Sequence, residues 1–593
     1  MAVYRYATKD LSINNAQAFI KALNATDGRS TKNSTILYVA IGKVFQYPNE
    51  PTPVNPDDNE QYLQYQAHRD FIGAKKITTE DASHVSPRYN WTSGTVYSMY
   101  RDTDEDMYER PFYVFTDEYN VYKCLYNNKG ATSTVKPTGF STSSFSTSDG
   151  YTWKYMYTVS LGDANKFLTP LHIPVKTITV GDGSTESDRQ LAVQNAAVNG
   201  SIEVVETVNT GSGYHQVANG VVEAGGKFTL KLSTAGDAEA SPIDNFYNGA
   251  SVYIKSGTGA GQLRRVIDYE GSTRTLTVNT AFAIVCNTDS RVVVSPTVTI
   301  IGDGRGAKAY SILNTSTGGV ANINMITVGS QYTRAKALIT SNNIHGLGAT
   351  ANVVISPVGG HGANPVRELM ADKVLLNVQF NDNSGQSNTG AGYIPSNTEF
   401  RTISLMRDPV LKVNSNNVLQ SVESIANTSN SPATLRLTTR LTISYSQMDG
   451  SEPQNPLAVR DIITNERTRL KAELGTLQFV TNLSPTGRAN EALANAVKGA
   501  NANIVYIRED ETQSDPSFYT VYINNVEGYA DNIPFTKDDI ILKSTSEQEV
   551  ATVEAISGPE ANTFSGEILF VENVQAVTRD PDQTEDIKIV LDF

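Results

Sequence analysis

Cysteine, histidine and tryptophan are the scarce residues of this chain, and each scarcity narrows its chemistry. Two cysteines in 593 residues cannot build a disulfide scaffold. Cys124 and Cys286 lie far apart in stretches that read as strands, so free, buried thiols are expected. The six histidines (His68, His84, His172, His215, His345 and His361) include no His-x-x-x-His pair and no neighbouring cysteine, so no structural zinc site is expected. Charged residues reach only 19% and the formal net charge is −14. Phosphate contacts need clustered Lys and Arg, so nucleic acid is not an expected partner. No apolar run approaches the roughly 20 residues that cross a bilayer, and the opening MAVYRYATKDLSINN has no apolar signal region. The chain is therefore expected to fold in a reducing cytoplasm with no membrane partner.

Glycine and tyrosine are plentiful instead: 43 Gly, and 29 Tyr against 2 Trp. That composition suits sheets with amphipathic aromatic faces that also serve protein contacts. At roughly 150 residues per domain the length suggests about four domains. The expected fold class is mainly β, α+β and multidomain.

Local pattern gives the order of elements. Ser12 to Leu23 has a capping residue followed by helical spacing, and Thr35 to Ile41 reads as a buried strand. Pro48 to Gln61 is a surface loop, and Phe112 to Tyr126 is a hairpin around an Asp-Glu turn. From about 179 to 358 the chain becomes short β-runs punctuated by Gly. Ile202 to Tyr214 and Ile323 to Tyr332 share an aliphatic strand, a small-residue turn and a Tyr. A repeat so short cannot bury its own apolar face, so the copies must pack against something. Between them, Val252 to Val278 reads as three strands. Val358 to Pro365 reads as a flexible return, followed by a helical turn at Val366 to Ala371, a strand at Val374 to Phe380 and a loop over 381–398. A second insertion, from about Leu411 to Phe564, holds strands at Leu435 to Tyr445, Ile504 to Ile507, Tyr519 to Ile523 and Val550 to Ile556, and a helix at Arg488 to Val497. Both insertions are expected to leave from and return to one body, since loop-closure entropy grows slowly with length. The ending, from Ser565, joins two alternating β-runs through an Arg579 to Asp582 turn and reads as a hairpin.

Apparent catalytic motifs have blander readings. His68-Arg69-Asp70 copies a kinase tripeptide without the Asn and the D-F-G that must come after it. Gly257 to Gly261 and Gly302 to Gly306 lack the Lys-Ser/Thr and the helix of a nucleotide loop, so they read as turns needing positive φ. Asp102 to Asp106 reads as a solvated acidic turn. His361, between two glycines, reads as an exposed loop residue. Tyr151, Trp153, Tyr155 and Tyr157 alternate, so they share a strand face that fills a core or meets a partner. No catalytic residue, cofactor or metal ligand is assigned.

Five stretches occur in an order that matches a known family: NSTILYVAIGK (33–43), HVSPRYNW (84–91), SDGYTWKYMYTV (148–159), EFRTISLMRDP (399–409) and the terminal SGEILFVENVQAVTRDPDQTEDIKIVLDF (565–593). Together they resemble the baseplate wedge subunit of contractile-tailed phages, the family of gene product eight in T-even-type viruses. The resemblance covers 1–178, 366–415 and 565–593. It implies a split wedge core, and the β-rich stretches outside it, which have no counterpart in the shorter relatives, read as two inserted domains: N-terminal core 1–178, insertion 179–358, return to the core 359–415, second insertion 416–564, and a C-terminal hairpin 565–593 completing the core. It further implies a non-enzymatic virion protein of the tail baseplate, assembled in the host cytoplasm. Its implied partners are a second copy in a homodimer, other wedge proteins and tail fibres. Trp153, Tyr155, Phe400, Gln583 and Phe593 fall in matched motifs and are the candidate fold or interface residues. Two rival readings are a tail adhesin recognising host glycans through the Gly-rich modules, and a glycan-degrading enzyme.

Overall fold

The computed structural model describes residues 8–23, 36–54, 61–104, 106–234, 240–341, 346–381, 392–396, 398–413, 418–419, 433–444, 477–480, 501–509, 518–527, 537, 540–542 and 549–593. The protein is mainly β and multidomain, built from antiparallel sheets and closed barrels. It divides into two compact units, 1–13 with 84–372, and 14–83 with 373–593. The N-terminal helix spans Lys9–Leu23 and so starts before the expected Ser12, and a helix at Gln61–Asp70 comes after the Pro-rich loop.

In the second unit, a five-stranded sheet runs in the order Thr434–Arg436, Phe71–Lys76, Leu37–Gly42, Thr398–Arg407, Glu567–Arg579. Leu37–Gly42 (LYVAIG) is buried at every position, as suits a run without charged residues at the centre of a sheet covered on both faces. Val39, Ile41, Phe400 and Leu405 pack into a core shared with Val374, Leu376, Ile587 and Ile589. Tyr38, Ala40 and Met406 fill a separate cluster with Leu435 and Ile568. The C-terminal hairpin is not formed. Glu567–Arg579 pairs with Thr398–Arg407, and Glu585–Asp592 pairs with Lys373–Phe380. Period-2 alternation specifies a strand and its buried face but not its neighbour, and here the turn between the strands is tied down instead. Buried Arg579 reaches Glu585 at 3.1 Å and the Pro395 carbonyl at 2.8 Å.

The expected strand Leu435 to Tyr445 is two strands. Thr434–Arg436 completes the five-stranded sheet, and Thr439–Ser444 opens a closed barrel with Leu477–Val480, Asn501–Glu509, Phe518–Glu527, Ile540–Leu542 and Glu549–Ser557. The break is held by the Arg436 guanidinium, which donates to the Thr438 carbonyl, to Ser557 Oγ at 3.0 Å and to the Gly558 carbonyl at 2.8 Å. The helix expected at Arg488 to Val497 and most of the loop 381–398 lie outside the described residues.

The first unit begins with an aromatic sheet, ordered Tyr113–Phe115, Asn120–Asn127, Tyr151–Thr158, Phe145–Ser146. The hairpin over 112–126 forms as read. The helix Thr185–Ala196, not expected from the Gly-rich composition nearby, packs against Tyr151–Thr158 and is capped by Ser184, whose Oγ accepts from Ser187 N at 3.2 Å.

Two six-stranded closed barrels come next, one inside the sequence of the other. The outer barrel runs Thr297–Gly302, Arg305–Leu313, Val320–Ser330, Ile202–Asn209, Thr350–Ile355, Ala335–Thr340 around its ring. The inner one occupies 217–295 and contains the three strands expected there, Ser251–Ser256, Leu263–Glu270 and Thr275–Val278. Cys286 is buried and free as expected but sits in the loop before Arg291–Ser295 rather than in a strand; Cys124 is a strand residue, also buried and free.

The outer barrel is a duplicated three-strand unit. Ile202–Asn209, Thr297–Gly302 and Arg305–Leu313 make one copy, and Val320–Ser330, Ala335–Thr340 and Thr350–Ile355 the other. The ring order reads the same from either end, and Val205 pairs with its counterpart Ile323 where the copies meet. Shortly after the first strand of each copy comes a tyrosine that plugs the barrel over the other copy's glycine turn. Tyr214 lies on Gly346 and accepts from Ala349 N at 3.2 Å, and Tyr332 lies on Gly304 and accepts from Ala307 N at 3.4 Å. Gly211 and Gly329 hold matching left-handed conformations, φ 60° and 66°, where a Cβ would meet the nearby tyrosine ring at 2.9 Å and 2.8 Å. The internal similarity in the sequence is thus this plug, and the two copies bury each other's apolar faces.

Candidate functional site

The most chemically loaded cluster is buried in the first unit, where the chain returns from the outer barrel. The strand Asn120–Asn127 places Lys123 inward among aromatic neighbours, and the short helix Pro365–Glu368 brings Glu368 to it. Lys123 Nζ donates to Glu368 Oε2 at 3.0 Å and to His361 Nδ1 at 3.2 Å, and lies 3.9 Å from the Tyr100 ring centroid. Glu368 Oε1 also accepts from the backbone N–H of Gly362 at 2.8 Å and of Asn364 at 3.2 Å. Lys154 Nζ, on the adjacent strand, donates to the Thr142 carbonyl at 2.6 Å.

His361 is therefore not the exposed loop residue its flanking glycines suggested: it is 2% exposed, and the Tyr100 ring meets it edge-on at 4.9 Å. Burial, reinforced by the Lys123 and Lys154 charges, pushes its pKa well below the ordinary value. It is held neutral, so its 4.0 Å approach to Glu368 is not an ion pair, and Nδ1 serves Lys123 as an acceptor. Burial also lowers the Lys123 pKa, partly opposed by Glu368. An ammonium, an imidazole and a carboxylate could exchange protons in principle. These side chains are only 0%, 2% and 1% exposed, however, and Lys123 Nζ, His361 Nδ1 and both Glu368 carboxylate oxygens are engaged with one another or with the 362–364 backbone. The arrangement clamps a chain segment. Removing one partner of such a pair costs about 3–5 kcal/mol, because it strands a buried charge.

The second unit uses charge in the same way. Arg401, 2% exposed, donates to Glu50 Oε1 at 2.6 Å and Glu399 Oε2 at 3.0 Å. Tyr47 Oη bonds the Arg401 carbonyl at 2.9 Å and Asn573 Oδ1 at 2.7 Å, and burial raises its pKa to about 12. Glu560 Oε2 accepts from Arg436 N at 2.8 Å.

The five motif residues are not brought together. Trp153 and Tyr155 are fully buried in the aromatic core of the first unit, where Trp153 stacks on Tyr151 at 5.3 Å. Phe400 is buried in the core of the second. Gln583 is exposed in the turn after Arg579, and half-buried Phe593 packs on Phe19 at 5.3 Å. Sequence reasoning did not single out Lys123 or Glu368. The available signal was a lysine interrupting the apolar and aromatic run of Val121 to Tyr126, at the position between Val121 and Leu125 in the strand's alternation. Among the described residues, no group of His, Cys, Asp and Glu is placed to hold a metal ion. No protein-family model matches this chain, and no curated protein matches it in sequence.

Proposed function

We propose that this chain is a structural subunit of a contractile-tail baseplate wedge, a scaffold that holds neighbouring proteins rather than an enzyme. One observation carries the reading. Three of the stretches that resemble the wedge family, 33–43, 399–409 and 565–593, are remote in sequence, yet they supply Leu37–Gly42, Thr398–Arg407 and Glu567–Arg579, three consecutive neighbours in one sheet. Segments that resemble a family only by chance have no reason to converge on one folded body.

The way the barrels are attached fits a scaffold. Each leaves and returns on strands that face each other: Ile202 opposite Ile355, Val217 opposite Val294, and Arg440 opposite Ser557. Adjacent ends let a module be added with little loss of chain entropy beyond its own folding. On this reading the chain is assembled in the host cytoplasm, pairs with a second copy, and meets other wedge proteins and tail fibres. Repacking of such interfaces transmits a rearrangement without a catalytic group.

Immunogold electron microscopy of contractile-tailed particles, with an antibody to this chain, tests the proposal. Label around the baseplate before and after sheath contraction is expected. Label confined to fibre tips, or absent from the particles, contradicts it.

A further inference from the structure

The first unit carries a cleft of about 490 Å³ beside the tip of the aromatic hairpin, within the size range of small-ligand sites. Its floor is aromatic. Trp91 is pinned by Nε1 donating to Ser133 Oγ at 3.1 Å, and Phe115 and Tyr119 meet edge-to-face at 5.9 Å. Tyr119 is held at φ 63° by the turn after Phe115, a conformation costly for a bulky residue, with its side chain at the surface.

The rim is polar, and one of its charges is uncompensated. Lys136 is answered by Asp117 at 2.8 Å and by Glu118. Arg88 lies 5.1 Å from the Phe115 ring centroid, with Nε donating to Asn90 Oδ1 at 2.8 Å and one terminal nitrogen to the Thr169 carbonyl at 3.1 Å. Among the described residues no carboxylate pairs with it. The guanidinium is thus oriented by neutral acceptors and retains donors for an anion.

We propose that this cleft binds a saccharide unit bearing a carboxylate, of the uronic-acid class. The half-buried Trp91 ring and the exposed Tyr119 ring take the apolar face of a pyranose, with buried Phe115 supporting them from below; Asp117 and Asn90 accept its hydroxyl protons, and Arg88 takes the carboxylate. A peptide adding as a strand fits less well, because the backbone at the floor is already used: Phe115 N donates to the Tyr89 carbonyl at 2.7 Å, and Trp91 N to the Phe115 carbonyl at 2.9 Å. The proposal is independent of the wedge reading and lies outside the Gly-rich modules.

The chain reports on itself, since Trp91 and the fully buried Trp153 are its only tryptophans. Titrating the full-length protein with a glucuronic-acid disaccharide, with tryptophan fluorescence as the readout, is expected to give a saturable change. The neutral glucose disaccharide should bind about tenfold more weakly. Arg88→Gln should bring the acidic sugar down to the neutral one. Lys136→Ala, at a partly exposed position, should weaken the acidic sugar several-fold by leaving Asp117 and Glu118 unanswered. Saturation by neither sugar, equal affinity for both, or tighter binding of a poly-glutamate peptide than of either would overturn the proposal.

Discussion

The two copies within the outer barrel differ chiefly in the connector after the plugging tyrosine. After Tyr332, only Thr333 and Arg334 lead to the next strand, and Asp303 holds this turn by accepting from both backbone N–H groups, at 3.0 Å and 3.2 Å. After Tyr214, the chain builds the whole inner barrel before resuming at Thr297. The plugs themselves correspond: Tyr214 N donates to the Gly318 carbonyl at 2.8 Å, and Tyr332 N to the Gly200 carbonyl at 3.2 Å. Closure of the barrel is therefore set by tyrosine packed on glycine, and the connector is free to vary. A position that tolerates a bare turn in one copy accepts a folded module in the other.

Removal of the plugs challenges that equivalence most severely. Tyr214→Ala and Tyr332→Ala should each destabilise the outer barrel by about 3–5 kcal/mol, as loss of a buried aromatic ring does. Hydrogen exchange over 297–355 in the full chain would read the local loss. If one substitution opens the barrel and the other is silent, the two copies are not equivalent.

Next come the glycines under the rings. A Cβ at Gly346 or Gly304 would lie 2.4 Å from the plugging ring, so alanine at either should cost about 1–3 kcal/mol by overpacking. Gly346 is also at φ 83°, so Gly346→Ala should be worse than Gly304→Ala by about 1 kcal/mol, again by exchange.

The return segment after the second copy extends the contrast to pH. His361 has its pKa lowered by burial and two lysines, so the folded protein stays unprotonated there while the unfolded chain takes up a proton near pH 6.5. The unfolded state then binds more protons, and stability falls as pH drops below about 6.5, by at most about 1.4 kcal/mol per unit for this one group. His361→Asn keeps an acceptor for Lys123 and should show a shallower fall in denaturant midpoint between about pH 7 and 5. Parallel curves for the two proteins would contradict the assignment.

The smallest effect concerns Gln331, exposed at φ 64° where the other copy has Gly213 at φ 74°. Gln331→Gly should relieve strain and recover up to about 0.5 kcal/mol, since glycine's greater freedom when unfolded offsets part of the gain. A midpoint lower than that of the parent protein would show that Gln331 is not strained.

Alternation and glycine punctuation locate strands because both are local properties of a chain. Asn120–Asn127, Ser251–Ser256 and Lys373–Phe380 all lie where these patterns place them. The tyrosine of each barrel repeat is visible in the sequence for the same reason, since Tyr214 and Tyr332 each follow their left-handed glycine, Gly211 or Gly329, by three residues, whereas the glycine turn each ring covers is remote. Strand partners are not local. Glu567–Arg579 and Glu585–Asp592 read as a hairpin because they are adjacent in sequence, whereas each completes a different ladder with a strand from 373–407.

Burial of charge was equally hidden. Lys123 and Glu368 meet only after the whole barrel insertion has been traversed, and nothing local to either marks the other. His361 reads as exposed because glycines usually mark mobile loops. Here Gly360, at φ 101°, lets the backbone press against Val198, where a Cβ would lie 2.5 Å from its N and O atoms. The cleft draws Arg88 and Trp91 from one stretch, Phe115 from a second and Lys136 from a third, so the spacing along the chain does not reveal it.

If the inserted modules are separable from the scaffold that carries them, the inner barrel can be excised without opening the outer one. Residues 215–296 would be replaced by Thr-Arg, copying the connector after Tyr332, and hydrogen exchange of 297–355 compared with that of the intact protein. Protection of the outer-barrel strands should be retained within about tenfold, a change of about 1.4 kcal/mol, with Tyr214 still seated on Gly346. Loss of protection across those strands to the level of an open chain would contradict separability.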